Sequence, residues 1–160
     1  MNKPLSVYKT GSSLILERSN DVDIIYYYAT QEEANEALRK YLHDRKCDVH
    51  FRAISSVDKT FIGAYIRPYM ELLEGEEIPA IKKYNLLEHK DEYVEKVKRL
   101  INSLPHTSKL WYHIYLGLSI LRRNKLYITK EQLAKAQDIH DKGIDEDTFK
   151  YCVETLELLN

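Results

Sequence analysis

Cysteine is scarce in this chain of 160 residues. Its two copies, Cys47 and Cys152, form no C-x-x-C pair and no framework of spacings, which excludes zinc or disulfides as organisers of the fold. Both read as small buried hydrophobes in a reducing compartment. An excess of one charge is also missing. With 24 basic and 25 acidic residues the formal net charge is −1, so no global field draws the chain onto nucleic acid or membrane, and any such contact is local. No apolar run approaches the length of a membrane span and the start, MNKPLSVYKT, has no hydrophobic leader core, so the expected location is the cytoplasm. Internal repeats and low-complexity tracts are absent, and 44% apolar with 31% charged residues is the composition of a chain that folds around a core. Phenylalanine is rare, at 3 copies, where tyrosine reaches 13, a bias toward rings with a polar tip that suits wet clefts and interfaces.

What is there begins with LSVYKT, a short strand by its β-branched and aromatic content, broken by Gly11, Ser12 and Ser13. After a polar loop comes DVDIIYYY, whose strand period places Asp21, Asp23 and Ile25 on one face. Thr30 opens a helix as its N-cap, with Glu33 completing a capping box and Ala34, Ala37, Leu38, Tyr41 and Leu42 as the buried stripe. CDVHFRAI then alternates again, with Asp48, His50 and Arg52 on one face and Val49, Phe51 and Ala53 on the other. A helix crossover commonly joins neighbouring strands, so the two acid-bearing strands are expected side by side. From Phe61 onward the chain reads as mostly helical. Tyr93, Val94, Val97, Leu100, Ile101 and Leu104 recur at helical spacing, and SKLWYHIYLGLSILRR is apolar around most of its circumference, as a central bundle helix is. Thr129 with Gln132 caps the next helix, and Phe149, Cys152, Val153, Leu156 and Leu159 line one face of the last. The expected fold is α+β, with a sheet and flanking helix over residues 1–60 and a helical bundle over 61–160.

Carboxylates at 21, 23 and 48 are what divalent cations need when they bridge a protein and a polyphosphate. Mg²⁺ takes oxygen ligands, keeps waters, and is usually held by one or two carboxylates plus substrate phosphates. Two such ions about 3.5 to 4 Å apart stabilise both the attacking and the leaving oxygen of an in-line displacement. Asp21 and Asp23 would hold the ion on a triphosphate, and Asp48 would complete the second site and orient or deprotonate an acceptor hydroxyl. Gly11 would let the backbone approach a phosphate, with Ser12 and Ser13 in the gripping turn.

The order GSSLILERSNDVDII followed by CDVHF resembles the DNA polymerase beta-like nucleotidyltransferase superfamily, in which a G-S step, a D-x-D pair about ten residues on and a third Asp on a later strand recur. Gly11, Ser12, Asp21, Asp23 and Asp48 match that pattern. The later SKLWYHIYLGLSIL and AQDIHDKGIDEDTF look like the helical tail of small stand-alone predicted nucleotidyltransferases, in which a Lys and a Tyr-His pair recur. That likeness makes Lys109, Tyr112 and His113 candidates for nucleotide binding, with Lys109 reaching the β- and γ-phosphates. The chain lacks the extra Gly and Arg common after the G-S step. The resemblance implies a minimal mixed nucleotidyltransferase sheet, Mg²⁺ or Mn²⁺ as cofactor, and transfer of a nucleoside monophosphate from a nucleoside triphosphate to a hydroxyl of RNA, a small molecule or a protein, with release of pyrophosphate. Blander roles compete for the same residues. Asp21 and Asp23 can cap a turn beside Ser19 and Asn20, and Lys109, Tyr112 and His113 can simply belong to a bundle helix. His50 is left as a neighbour of the acids. The rival function is a non-catalytic module that keeps the fold for binding or regulation, for example within a toxin and antitoxin pair.

Overall fold

The computed structural model describes residues 3–19, 22–41 and 48–160. The chain packs as two compact units, Met1–Lys59 with Ile66–Tyr84, and Thr60–Tyr65 with Asn85–Asn160. It is α+β, as the residue patterns imply. No helix among the described residues is long and apolar enough to cross a membrane.

The first unit is a four-stranded mixed sheet in the order β3-β2-β1-β4, built from β1 (Ser6–Thr10), β2 (Asp23–Tyr28), β3 (Asp48–Ala53) and β4 (Glu71–Gly75). β1 pairs antiparallel with β2 and with β4, while β2 and β3 run parallel because helix α1 (Gln31–Lys40) carries the chain between them. Thr30 caps α1 by accepting the Glu33 N–H at 3.2 Å. Both faces of the sheet are covered. Tyr8 and Tyr27 pack with Val57, Met70, Ile78 and Ile81 on one side, the last two from around the short helix α2 (Pro79–Lys82). On the other, Tyr28 and Phe51 pack under Ala34 and Ala37 of α1.

Two expectations differ here. The stripe of α1 loses Leu38, which is 56% exposed, while Tyr41, 37% exposed, keeps its ring 5.3 Å from that of Phe51. The short methyl groups of Ala34 and Ala37 face the aromatic rings of the sheet, and Leu38, one residue on, is turned roughly 100° away from Ala37. Leu42 lies outside the described residues. The second difference is β4, within a region that read as mostly helical. All five residues of β4 are exposed, so no alternation of burial marks the strand, and a register shift between Val7 and Tyr8 further breaks its regularity. Ile66–Tyr84, beyond the expected boundary between 60 and 61, packs with the sheet.

The second unit comprises α3 (Lys90–Ile101), α4 (Leu110–Arg123), α5 (Lys130–Lys142) and α6 (Glu146–Leu159). α4 is its centre. Trp111, Ile114, Leu116 and Leu118 are wholly buried, and Gly117 leaves room for the Tyr93 ring of α3. Thr129 and Gln132 form both halves of a capping box on α5, and Gln132 Oε1 also accepts from Arg123 at 2.7 Å. Asn124 ends α4 in the left-handed conformation that Asn tolerates, at φ 55°.

Candidate metal and nucleotide site

The antiparallel register of β1 and β2 sets Thr10 opposite Asp23, so the residue that follows, Gly11, arrives beside the first residue of β2. Twelve residues of sequence are closed into one contact. Gly11 adopts φ 86° and ψ −169°, a conformation open essentially to glycine alone. Its Cα faces the Asp23 carboxylate so closely that an added Cβ would lie 1.9 Å from Asp23 Oδ2. The glycine requirement comes from this approach. Gly11 then opens a short 3₁₀ turn over Ser12–Leu14. Ser12 Oγ stands 2.6 Å from Ser19 Oγ and holds the turn to the far side of the loop, while Ser13 Oγ is buried without a hydrogen-bond partner among the described residues.

The parallel register of β2 and β3 sets Asp23 directly opposite Asp48, each the first residue of its strand. Positions opposed in a ladder belong to one face, so positions 23 and 48 belong to the face of Ile25, Tyr27, His50 and Arg52. The side chain of Asp48 and the whole of Asp21 lie outside the described residues. The Asp23 side chain is 21% accessible, and His50 Nε2 is 3.8 Å from its Oδ1. Further along this face, burial pushes the Tyr27 phenol above its ordinary range, against the opposing pull of Arg67 and Arg52. Tyr27 therefore stays neutral and belongs to the core. On the opposite side of the sheet, beneath α1, a cavity of about 180 Å³ is lined by Tyr28, Tyr41 and Phe51 with Glu33, Glu36 and Lys40.

Lys109, Tyr112 and His113 belong to the second unit. Lys109 is exposed at the head of α4, and the other two are engaged inside that unit. Tyr112 is buried with its ring 4.0 Å from that of His113, and His113 Nδ1 shares a 2.9 Å hydrogen bond with the Tyr65 hydroxyl. These are the contacts of a packed helix, and Trp111 likewise donates its indole N–H to the Pro105 carbonyl at 3.0 Å. The residue that motif reading passed over is His50. Alternation along β3 already puts it on the face of Asp48, but its nearness to Asp23 depends on an inter-strand register that no local pattern reveals.

Chemically, the first unit brings the Asp23 carboxylate to the head of β2, with Asp48 at the opposed ladder position, beside a glycine turn that carries serine hydroxyls. This donor set suits a hard divalent cation that keeps some of its waters. Comparison with protein-family models, curated proteins and solved structures returned no match.

Proposed function

We propose that this chain is a metal-dependent nucleotidyltransferase, moving a nucleoside monophosphate from a nucleoside triphosphate to an acceptor hydroxyl with release of pyrophosphate. The observation that carries the reading is the placement of Asp23 opposite Asp48 at the heads of parallel strands, with the Gly11 turn closed against Asp23. A structural pair of acids needs neither the register nor the turn. The sequence resemblance to the polymerase beta-like superfamily supports the same assignment, and cytoplasmic placement goes with it.

In this reading Asp21, Asp23 and Asp48 hold Mg²⁺ or Mn²⁺. When bound, such an ion supplies charge neutralisation at a phosphoryl group and makes an attacking hydroxyl easier to deprotonate. The chain's own contribution is placement. Gly11 lets the turn close against the Asp23 carboxylate, the turn of Ser12 and Ser13 offers the Ser12 hydroxyl and backbone N–H groups to triphosphate oxygens, and Asp48 orients the acceptor hydroxyl and takes its proton.

The test is transfer of label from each of the four α-labelled nucleoside triphosphates, with Mg²⁺ or Mn²⁺, into RNA, lysate protein, small hydroxylated acceptors and the chain itself. Incorporation that an Asp21→Asn, Asp23→Asn double variant loses establishes the chemistry and shows the acceptor class. If no triphosphate is bound, cleaved or transferred under any of these conditions, the enzyme reading fails and the non-catalytic module replaces it.

A further inference from the structure

The register that opposes Asp23 to Asp48 also opposes Ile25 to His50, which turns the imidazole to the face of Asp23. His50 Nε2 and Asp23 Oδ1 are 3.8 Å apart, with the two side chains 38% and 21% accessible. A charge-assisted hydrogen bond between them would close to about 2.8 Å. The observed gap is wider than any hydrogen bond, and among the described residues neither side chain has a hydrogen-bond partner of its own. Two donors each about 2.1 Å from one ion stand about 3.0 Å apart at a right angle and about 3.4 Å apart at the tetrahedral angle. A shift of well under about 1 Å, within the reach of a χ rotation on a partly accessible side chain, brings the pair to that spacing.

We infer that His50 is a nitrogen ligand of the metal site built on Asp23, giving it a mixed carboxylate and imidazole donor set that favours Mn²⁺ and related first-row ions over Mg²⁺. This rests on the metal-site reading above and narrows it. Mg²⁺ selects hard oxygen donors and near-ideal octahedral geometry, whereas imidazole raises affinity along the first-row series. An all-carboxylate site has no use for a histidine at this register position. A site that discriminates Mn²⁺ from the far more abundant Mg²⁺ does.

Pulsed EPR of the untagged chain loaded with Mn²⁺ reads the ligand directly. The expected result is ¹⁴N modulation that changes to the ¹⁵N pattern when the protein carries [¹⁵N]histidine, a readout that requires no variant. His50→Gln should abolish the modulation and weaken Mn²⁺ binding about tenfold or more, while Mg²⁺ binding changes by less than about twofold. Mn²⁺ that binds wild type with no nitrogen coupling overturns the inference and leaves the carboxylate site standing. Coupling that survives His50→Gln does the same. If Mn²⁺ fails to bind wild type even with a non-hydrolysable triphosphate present, the inference and the metal-site reading fall together.

Discussion

Replacing Gly11 by alanine asks two things of the sheet unit at once. The backbone must hold φ 86° and ψ −169° with a Cβ attached, which costs about 1–3 kcal/mol. The new methyl group would also lie 1.9 Å from Asp23 Oδ2, 2.8 Å from its Cγ and 2.9 Å from its Cβ. Ordinary contact begins near 3.4 Å, so the carboxylate must retreat by about 1.5 Å. The carboxylate can turn on χ1, but Asp23 is the first residue of β2, paired with a strand on either side, and its Cβ cannot withdraw from the 2.9 Å contact. Overpacking of this kind costs about 1–3 kcal/mol. The expected loss is therefore about 2–6 kcal/mol, read from urea unfolding with the slope held common to all variants.

A double-mutant cycle separates the two contributions. Asp23→Gly removes every close contact, so in that background Gly11→Ala should retain only the backbone cost of about 1–3 kcal/mol. Asp23→Ala keeps the Cβ contact at 2.9 Å and should fall between. If Gly11→Ala unfolds within about 0.5 kcal/mol of wild type, the turn is not closed against Asp23 as described and the site loses its main support.

Gly117→Ala places a methyl group 2.0 Å from the hydroxyl of buried Tyr93. Its overpacking of about 1–3 kcal/mol should outweigh the helix-propensity gain of about 1 kcal/mol, giving a lower Tm by thermal circular dichroism. Burial pushes the Cys152 thiol up to about 12, so iodoacetamide at pH 8.5 should leave it unlabelled in the folded chain and label it in urea, as peptide mapping will show. The raised folded value also means that stability declines as pH rises past the ordinary thiol range, because only the unfolded chain then gives up that proton. Asp145 is held down to about 2 by its 2.8 Å pair with Lys135 and by capping Thr148, so its contribution is present above the ordinary carboxylate value and is lost as pH falls toward 2. Asp145→Ala should cost about 1 kcal/mol through the lost cap, and Asp145→Asn markedly less. Asp23→Asn should leave metal-free stability unchanged or slightly raised, by up to about 1 kcal/mol, because it removes one of two opposed like charges. It should also abolish the stabilisation of about 1.4 kcal/mol that wild type gains at ten times the metal dissociation constant, and a wild-type melt unmoved by metal and triphosphate together would sink that expectation.

Local rules carried much of the fold. Thr30 and Thr129 each announce a helix start, the capping box at Thr129 is complete, and the alternation of VHFRA correctly buries Phe51 and Ala53. Nearest-neighbour pairing of the acid-bearing strands followed from the helix between them. Other features lay beyond local rules because they are set by distant partners. β4 is a strand only because β1 supplies its hydrogen bonds from more than 60 residues away, and its exposed ELLEG carries no period. Leu38 has the right spacing for the α1 stripe, yet the rotation of that helix is decided by the rings it meets. At the site, residue types and order were legible, but the Gly11 contact with Asp23 and the position of His50 depend on registers fixed only in the assembled sheet.

Several locally unfavourable choices coincide at one place in the sheet unit. Two carboxylate-bearing residues oppose each other across a ladder, where like charges destabilise pairing. A glycine sits in a conformation closed to other residues, and a serine hydroxyl is buried without a hydrogen-bond partner among the described residues. The acid pair and the serine would be relieved by ordinary substitutions, Asn for Asp or Ala for Ser, that ask nothing of the surrounding sheet. The helical unit offers the contrast: its α5 cap is complete and the space above Gly117 is filled by a tyrosine ring whose hydroxyl bonds the His113 carbonyl at 3.1 Å. Unfavourable choices scattered through a fold can be accidents of sequence, but gathered around one carboxylate they mark a place where something other than stability sets the residue. In the proposed reading a bound cation would relieve the charge opposition, and the glycine is what allows the turn to reach the acid that would bind it.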